Sequence, residues 1–183
     1  MIRQPVILVG GFLQEQGTYN GIIRLWDELS IQTASDPFTR VFWYPWNADA
    51  ADIAEMIFRF RPMTKIHDVI LIGYSWGGTL VIRIARELRK RGIKVKLMIL
   101  CDAIYRVRVL KFLAFVSCVR LGIPKNVEEV QSFRQENSYL RGHKLTFHGA
   151  TQFNEFLAPN TEHKYMDDLI EFRKYVLKNV NPK

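Results

Sequence analysis

The stretch VILIGYSWGGTLVIRIARELRKRG, residues 69–92, decides how the rest of the chain is read. Val69, Ile70, Leu71 and Ile72 run without polar alternation, as a strand covered on both faces does. Gly73-Tyr74-Ser75-Trp76-Gly77-Gly78 follows, and then an amphipathic pattern. Leu80, Val81, Ile84, Ala85 and Leu88 share one helical face, Arg83, Arg86, Glu87 and Lys90 take the other, and Gly92 closes the run. The stretch therefore predicts a strand, a sharp turn and a helix over 76–91. Ser75 stands at the turn. The glycines two positions before and two after it leave room for strand and helix to approach.

The same alternation extends in both directions. Apolar runs at 6–9, 40–44, 94–100, 127–133 and 144–147 predict strands, with Pro45 stopping the second. Helical patterns cover 21–32, 50–60 (ended before Pro62) and 165–179, the last with Asp167 and Asp168 in its first turn, where the helix dipole favours anions. Residues 104–121 read as mixed and partly helical. Strands alternating with helices imply an α/β fold, a three-layer, mainly parallel sheet with helices on both faces. In such sheets function sits at the carboxyl ends of the strands, so candidate residues should follow strands rather than precede them.

Composition bounds the problem without choosing a substrate. At 183 residues the chain is long enough for one domain with a real core, and its 48% hydrophobic content is ordinary. A net charge of +8 suits anionic partners in general, including acidic substrates and membrane headgroups. No zinc-finger spacing or RNA-binding signature directs it to nucleic acid. Cys101 and Cys118 form no disulfide framework, which fits a reducing compartment. The apolar run at 6–9 reads as a first strand rather than a signal segment, and 107–121 is broken by Arg108, Lys111 and Arg120, so a cytoplasmic location is expected. Gly10, Gly11 and Gly17 lack the G-x-G-x-x-G spacing, and there is no P-loop lysine, so neither nucleotide motif applies.

Gly73-Tyr74-Ser75-Trp76-Gly77 matches G-x-S-x-G in the strand–turn–helix context that the motif requires. Here the chain resembles the α/β-hydrolase superfamily, in particular small lipase- or esterase-like serine hydrolases. The alternative for Ser75 is an incidental serine in a glycine-rich turn. The resemblance implies a compact α/β-hydrolase fold with minimal cap, a nucleophilic serine, an acid and a histidine in that chain order, and no metal or cofactor. Asp102 follows the strand ending at Leu100 and fits the acid. In many members the acid comes one strand later, where Glu136 stands, so Glu136 is the alternative; a helix cap or turn residue is the plain reading of Asp102.

Of four histidines, His67 and His143 precede strands and lie at the wrong edge. His163 lies in the loop before the closing helix, where the resemblance places the base. His148 follows the 144–147 strand and is the alternative. In this scheme His163 takes the Ser75 proton and returns it to the leaving group, while Asp102 orients the imidazole. Backbone N–H groups of Trp76 and of Phe12, in the loop after the first strand, supply the oxyanion hole.

The aromatic residues Phe12, Trp43, Tyr44, Trp46, Trp76 and Tyr105 gather at predicted strand ends. They either line an acyl pocket, with Gly11, Trp46 and Tyr105 as its walls, or pack the edge of the core. Residues 104–121 form either a lid, with apolar residues interleaved with cations that suit a membrane surface, or a plain helix on the sheet. The expected function is cleavage of a carboxylic ester or thioester on a small-molecule or lipid-like acyl substrate. Two alternatives stand beside it: a thioesterase or acyltransferase serving CoA or an acidic acyl carrier, and a binding protein that keeps the fold without the chemistry.

Overall fold

The computed structural model describes residues 4–12, 14, 20–60, 69–105 and 119–180. Six parallel strands form one sheet. They are β1 (Gln4–Val9), β2 (Thr39–Tyr44), β3 (Val69–Tyr74), β4 (Val95–Cys101), β6 (Val127–Arg134) and β8 (Gln152–Leu157), in the order β2-β1-β3-β4-β6-β8. β5 (Arg120–Ile123) and β7 (Lys144–Phe147) form a separate parallel pair. The helices are α1 (Gly21–Gln32), α2 (Ala50–Arg59), α3 (Trp76–Lys90) and α4 (Ile170–Val180). A 3-10 turn, His163–Asp168, precedes α4.

Strand side chains alternate between two covered faces. Val6, Leu8, Ile70, Ile72, Ile99 and Cys101 pack with Leu25 and Leu29 of α1 and Phe172 and Val176 of α4. Ile7, Val9, Leu71, Met98 and Leu100 pack with Ile53 and Ile57 of α2 and Ile84 and Leu88 of α3. Continuous apolar runs in β1 and β3 are the direct consequence, since neither face meets water. The order of connection reverses at β1. The chain leaves it for β2 on one side and returns to β3 on the other, and in open α/β sheets that reversal opens a crevice at the carboxyl ends.

Several expectations need correcting. The 104–121 stretch does not end helically: Arg120–Ile123 is the strand β5. Residues 106–118, for which the sequence leaves a lid or a plain helix open, lie outside the described residues, as do His67 and Cys118. The 144–147 strand pairs with β5, not with the main sheet. β8 was not foreseen; it is an exposed edge strand, so its polar residues never had to alternate with a buried face. The closing helix divides at Leu169, and Asp167 and Asp168 lie in the 3-10 turn ahead of α4.

Candidate active site

β3 delivers Ser75 to the crevice. Its backbone stands at φ 53, ψ −122, a conformation that an L residue adopts only under constraint. The constraint is visible on both sides. Ser75 N–H donates to Cys101 O at 3.0 Å, and its carbonyl accepts from Ile104 N–H at 3.0 Å. The flanking glycines are steric requirements. A Cβ on Gly77 would lie 2.4 Å from Val9 O, and one on Gly73 would lie 2.8 Å from Gly77 O.

Asp102 directly follows β4, also with positive φ (44°), and is fully buried. Its carboxylate is satisfied on both oxygens. Oδ1 accepts from Gly142 N–H at 2.7 Å and Gln135 N–H at 3.2 Å. Oδ2 accepts from the Gln135 side-chain amide at 2.9 Å and faces His163 Nδ1 at 2.6 Å. The other imidazole nitrogen, Nε2, stands 2.9 Å from Ser75 Oγ. Residues 75, 102 and 163 thus form one hydrogen-bonded row at the carboxyl edge. With the carboxylate facing it, Nδ1 carries the proton, which leaves Nε2 free to accept one from the serine.

His163 opens the 3-10 turn and is held from three directions. Tyr74, the residue before the serine, donates its hydroxyl to His163 O at 2.8 Å, and its ring stacks on the imidazole at 5.3 Å. Ser138 Oγ accepts from His163 N–H at 3.4 Å. Burial pushes the Tyr74 phenol well above its ordinary range, with the carboxylates of Asp167 and Asp102 and the Cys101 thiol adding to the shift, so it remains a neutral donor. Cys101, also buried and pushed up for the same first reason, donates to Met166 O in the same turn.

The loop after β1 lies against the serine. A Cβ on Gly11 would stand 3.1 Å from Ser75 Cβ and 2.9 Å from the Tyr74 ring. Gly11 N–H is taken up by Gln14 Oε1 at 2.8 Å. Phe12, Trp46 and Trp76 pack on one another with ring centroids 4.6–5.5 Å apart, and the Phe12 ring is half exposed. They make an apolar cluster beside Ser75, on residues that follow β1, β2 and β3.

The alternatives fall elsewhere. Glu136 accepts from Arg134 at 2.9 Å and does not meet His163. His148 is exposed and sits against Gly122 of the small sheet. Tyr105 lines a separate cavity with Thr79, Ile82 and Leu121, away from the aromatic wall. Gln135 and Gln14 belong to no motif and carry no sequence signal; Tyr74 is a variable position of the serine motif, and Asp167 reads from the sequence only as an acid in the first turn of the closing helix. Among the described residues, no three His, Cys, Asp or Glu side chains stand together to hold a metal ion, and no helix is long and apolar enough to cross a membrane.

No family model matches the chain. It is 25% identical to the "Alpha/beta hydrolase nvfD" of Aspergillus novofumigatus over 75% of this chain, and it spans 56% of that curated relative's length. Solved structures superpose along nearly all of it. A protein of Lactobacillus plantarum WCFS1 described as a cell surface hydrolase has TM-score 0.58 at 14% identity, covering 98% of this chain and 91% of that one. The RedJ thioesterase of the prodiginine pathway of Streptomyces coelicolor has TM-score 0.53 at 12% identity, covering 98% and 85%. The thioesterase domain that cyclises the lipopeptide surfactin has TM-score 0.52 at 16% identity, covering 100% and 93%. The chain has the α/β-hydrolase fold.

Proposed function

We propose that the chain is a serine hydrolase that cleaves a carboxylic ester or thioester through an acyl-serine intermediate. The observation that carries this reading is the unbroken row Ser75–His163–Asp102 at the topological reversal of the sheet. Ser75 Oγ attacks the carbonyl carbon as its proton passes to His163 Nε2. Asp102 holds the resulting imidazolium. The carbonyl electrons move to oxygen, and that oxyanion lies between the N–H groups of Phe12 and Trp76. Collapse breaks the bond to the alcohol or thiol, which leaves with the proton from His163. A water molecule then attacks the acyl-serine by the same steps, giving the carboxylic acid and free Ser75.

The proton donor fixes the orientation of the substrate. The leaving group must face His163, and the acyl group lies over Phe12, Trp46 and Trp76. An apolar acyl group fits that cluster. Thioesterases among the structural relatives favour including thioesters, and the net charge of +8 suits an anionic carrier of the acyl group.

The test is labelling with a fluorophosphonate, compared between the wild-type protein and Ser75→Ala. Stoichiometric labelling that disappears in a folded Ser75→Ala variant is the expected result. Labelling that persists in that variant, or a folded wild-type protein that takes no label, refutes the nucleophile. Parallel turnover of p-nitrophenyl esters and acyl-CoA thioesters then separates the two substrate classes.

A further inference from the structure

Two consecutive glycines, Gly10 and Gly11, begin the loop that presents Phe12. Glycine offers no side chain to fix such a loop and the greatest backbone freedom to lose. Contacts from outside the two glycines must hold the Phe12 N–H in place, and among the described residues a hydrogen-bonded arrangement grips Gly11 itself.

Gln14 folds back on the loop. Its backbone N–H donates to Gly11 O at 3.1 Å, and its side-chain Oε1 accepts from Gly11 N–H at 2.8 Å, so both polar groups of Gly11 are gripped. The other end of the same amide, Nε2, donates to Asp167 Oδ2 at 2.6 Å. Asp167 is 2% exposed and also accepts from the N–H groups of Gly21 and Ile22 at the start of α1. It lies in the 3-10 turn that begins with His163. Packing there is tight enough that a Cβ on Gly21 would stand 2.4 Å from Asp167 O. One short turn therefore carries His163 at one end and, four residues on, the anchor of the loop that bears Phe12.

The relay has one polarity. Gly11 N–H can only donate, so the amide must present Oε1 to it, and Nε2 is left to face Asp167. An amide at position 167 cannot substitute without conflict. Its oxygen is claimed by Gly21 and Ile22 N–H, so its NH2 would face the NH2 of Gln14. Rotating Gln14 would instead set that NH2 against Gly11 N–H.

We infer that Gln14 and Asp167 are positioning residues that hold the Phe12 N–H in register with Ser75 and His163. The inference rests on the serine-hydrolase reading above. Neither residue touches the reacting atoms. Both act through Gly11 on a donor whose outright loss costs about 10²–10³ in kcat.

The experiment measures Gln14→Met, Asp167→Asn and the double variant, each normalised to sites titrated with a fluorophosphonate. Three results are expected. First, kcat per titrated site falls about 10- to 100-fold with KM within about threefold, as for an interaction made only in the transition state. Second, the inhibition constant of an alkyl trifluoromethyl ketone, whose hemiketal oxygen occupies the oxyanion position, rises in parallel. Third, the double variant is no worse than the poorer single, because both changes break one relay. A purely structural role would lower the titrated fraction and leave the per-site kcat and the ketone affinity alone. Unchanged per-site kcat in Gln14→Met, or additive losses in the double variant, overturns the inference. Gln14→Met alone suffices for the test if the buried Asp167→Asn change prevents folding. A folded wild-type protein without label refutes the hydrolase reading itself; labelled wild type with unaltered variants refutes only the relay.

Discussion

Replacing Asp102 with asparagine keeps the shape of the side chain and removes its charge, and the structure determines what the new amide must do. One orientation puts the amide oxygen where Oδ1 stands, accepting from Gly142 and Gln135 N–H. Its NH2 then faces His163 Nδ1 and the Gln135 amide. The reverse orientation leaves two buried backbone N–H groups facing an NH2, at about 1–3 kcal/mol for each unsatisfied donor. Gln135 cannot rotate to help, because its Oε1 already accepts from Asn137 and Ser138 N–H at 2.8 and 2.9 Å. The first orientation costs one donor, and the Gln135 amide that loses it still reaches Ser138 Oγ and Leu140 O. It therefore prevails. It forces Nδ1 of His163 to accept, which moves the ring proton to Nε2, and a protonated Nε2 cannot take a proton from Ser75.

The expected consequence of Asp102→Asn is a fall in kcat/KM of about 10⁴, equivalent to about 5 kcal/mol of transition-state stabilisation. Initial rates on a p-nitrophenyl ester, with the fluorophosphonate labelling rate as a second readout, measure it. Glu136→Gln is the control and should stay within about twofold. A loss below tenfold in folded Asp102→Asn, or a larger loss in Glu136→Gln, refutes the assignment and the tautomer argument together.

Two further expectations follow from the same geometry. Gly77→Ala drives a methyl group into the carbonyl oxygens of Val9 and Gly10, at 2.4 and 2.6 Å. Because these are backbone atoms, the cost should reach about 3 kcal/mol, the upper end for overpacking; a urea-unfolding loss under 1 kcal/mol would show that the strand and helix are not in close contact. Burial raises the Asp167 carboxyl above its ordinary value, against the pull of the Gln14, Gly21 and Ile22 donors. A raised folded value means that the folded state holds the proton more tightly. The stability due to this group is then greatest below the unfolded pKa of about 3.8 and falls as pH rises through the folded value. The stability of wild type minus that of Asp167→Asn should decline across that window and level off above it; a difference that rises with pH contradicts the burial argument.

Much of this was legible in the sequence, and the omissions have physical causes. Uninterrupted apolar runs marked β1 and β3 because both faces of those strands are covered, and Leu97–Leu100 marked β4 beyond its one exposed residue, Lys96. Ser75 was legible because only small residues fit at 73 and 77. Asp102 was legible because a polar residue directly after a buried strand can stand only at the carboxyl edge. β8 left no signal, since an edge strand with exposed faces needs no apolar period. β5 is four residues long and contains Gly122. Gln135 and Gln14 were silent because an amide does not titrate and belongs to no motif. Asp167 was assigned to its own helix, where the dipole rule applies equally well; in the structure it serves the N-terminus of α1 instead, a partner that only the fold could supply.

The backbone itself distinguishes a reactive serine from an incidental one. Gly92, at φ 68 with open space around it, is an ordinary glycine turn. At Ser75 and Asp102 the chain takes positive φ as well, yet it keeps side chains there. A non-glycine residue on that side of the map costs about 1–2 kcal/mol; at Asp102 the carboxylate that the side chain supplies to Gly142 and Gln135 offsets it, while at Ser75 the side chain's polar partner is His163. The cost can be measured apart from the lost hydroxyl by comparing Ser75→Gly with Ser75→Ala, since both remove the hydrogen bond to His163. At an unstrained site glycine is the worse of the two by about 0.5–1 kcal/mol. Here relief of strain outweighs that penalty, so Ser75→Gly should be the more stable by about 1 kcal/mol. With a urea dependence of about 2 kcal/mol/M, its unfolding midpoint should lie about 0.5 M higher. An alanine variant as stable as the glycine variant, or more so, would mean that the turn imposes no strain. In that case a serine there would need no chemical reason.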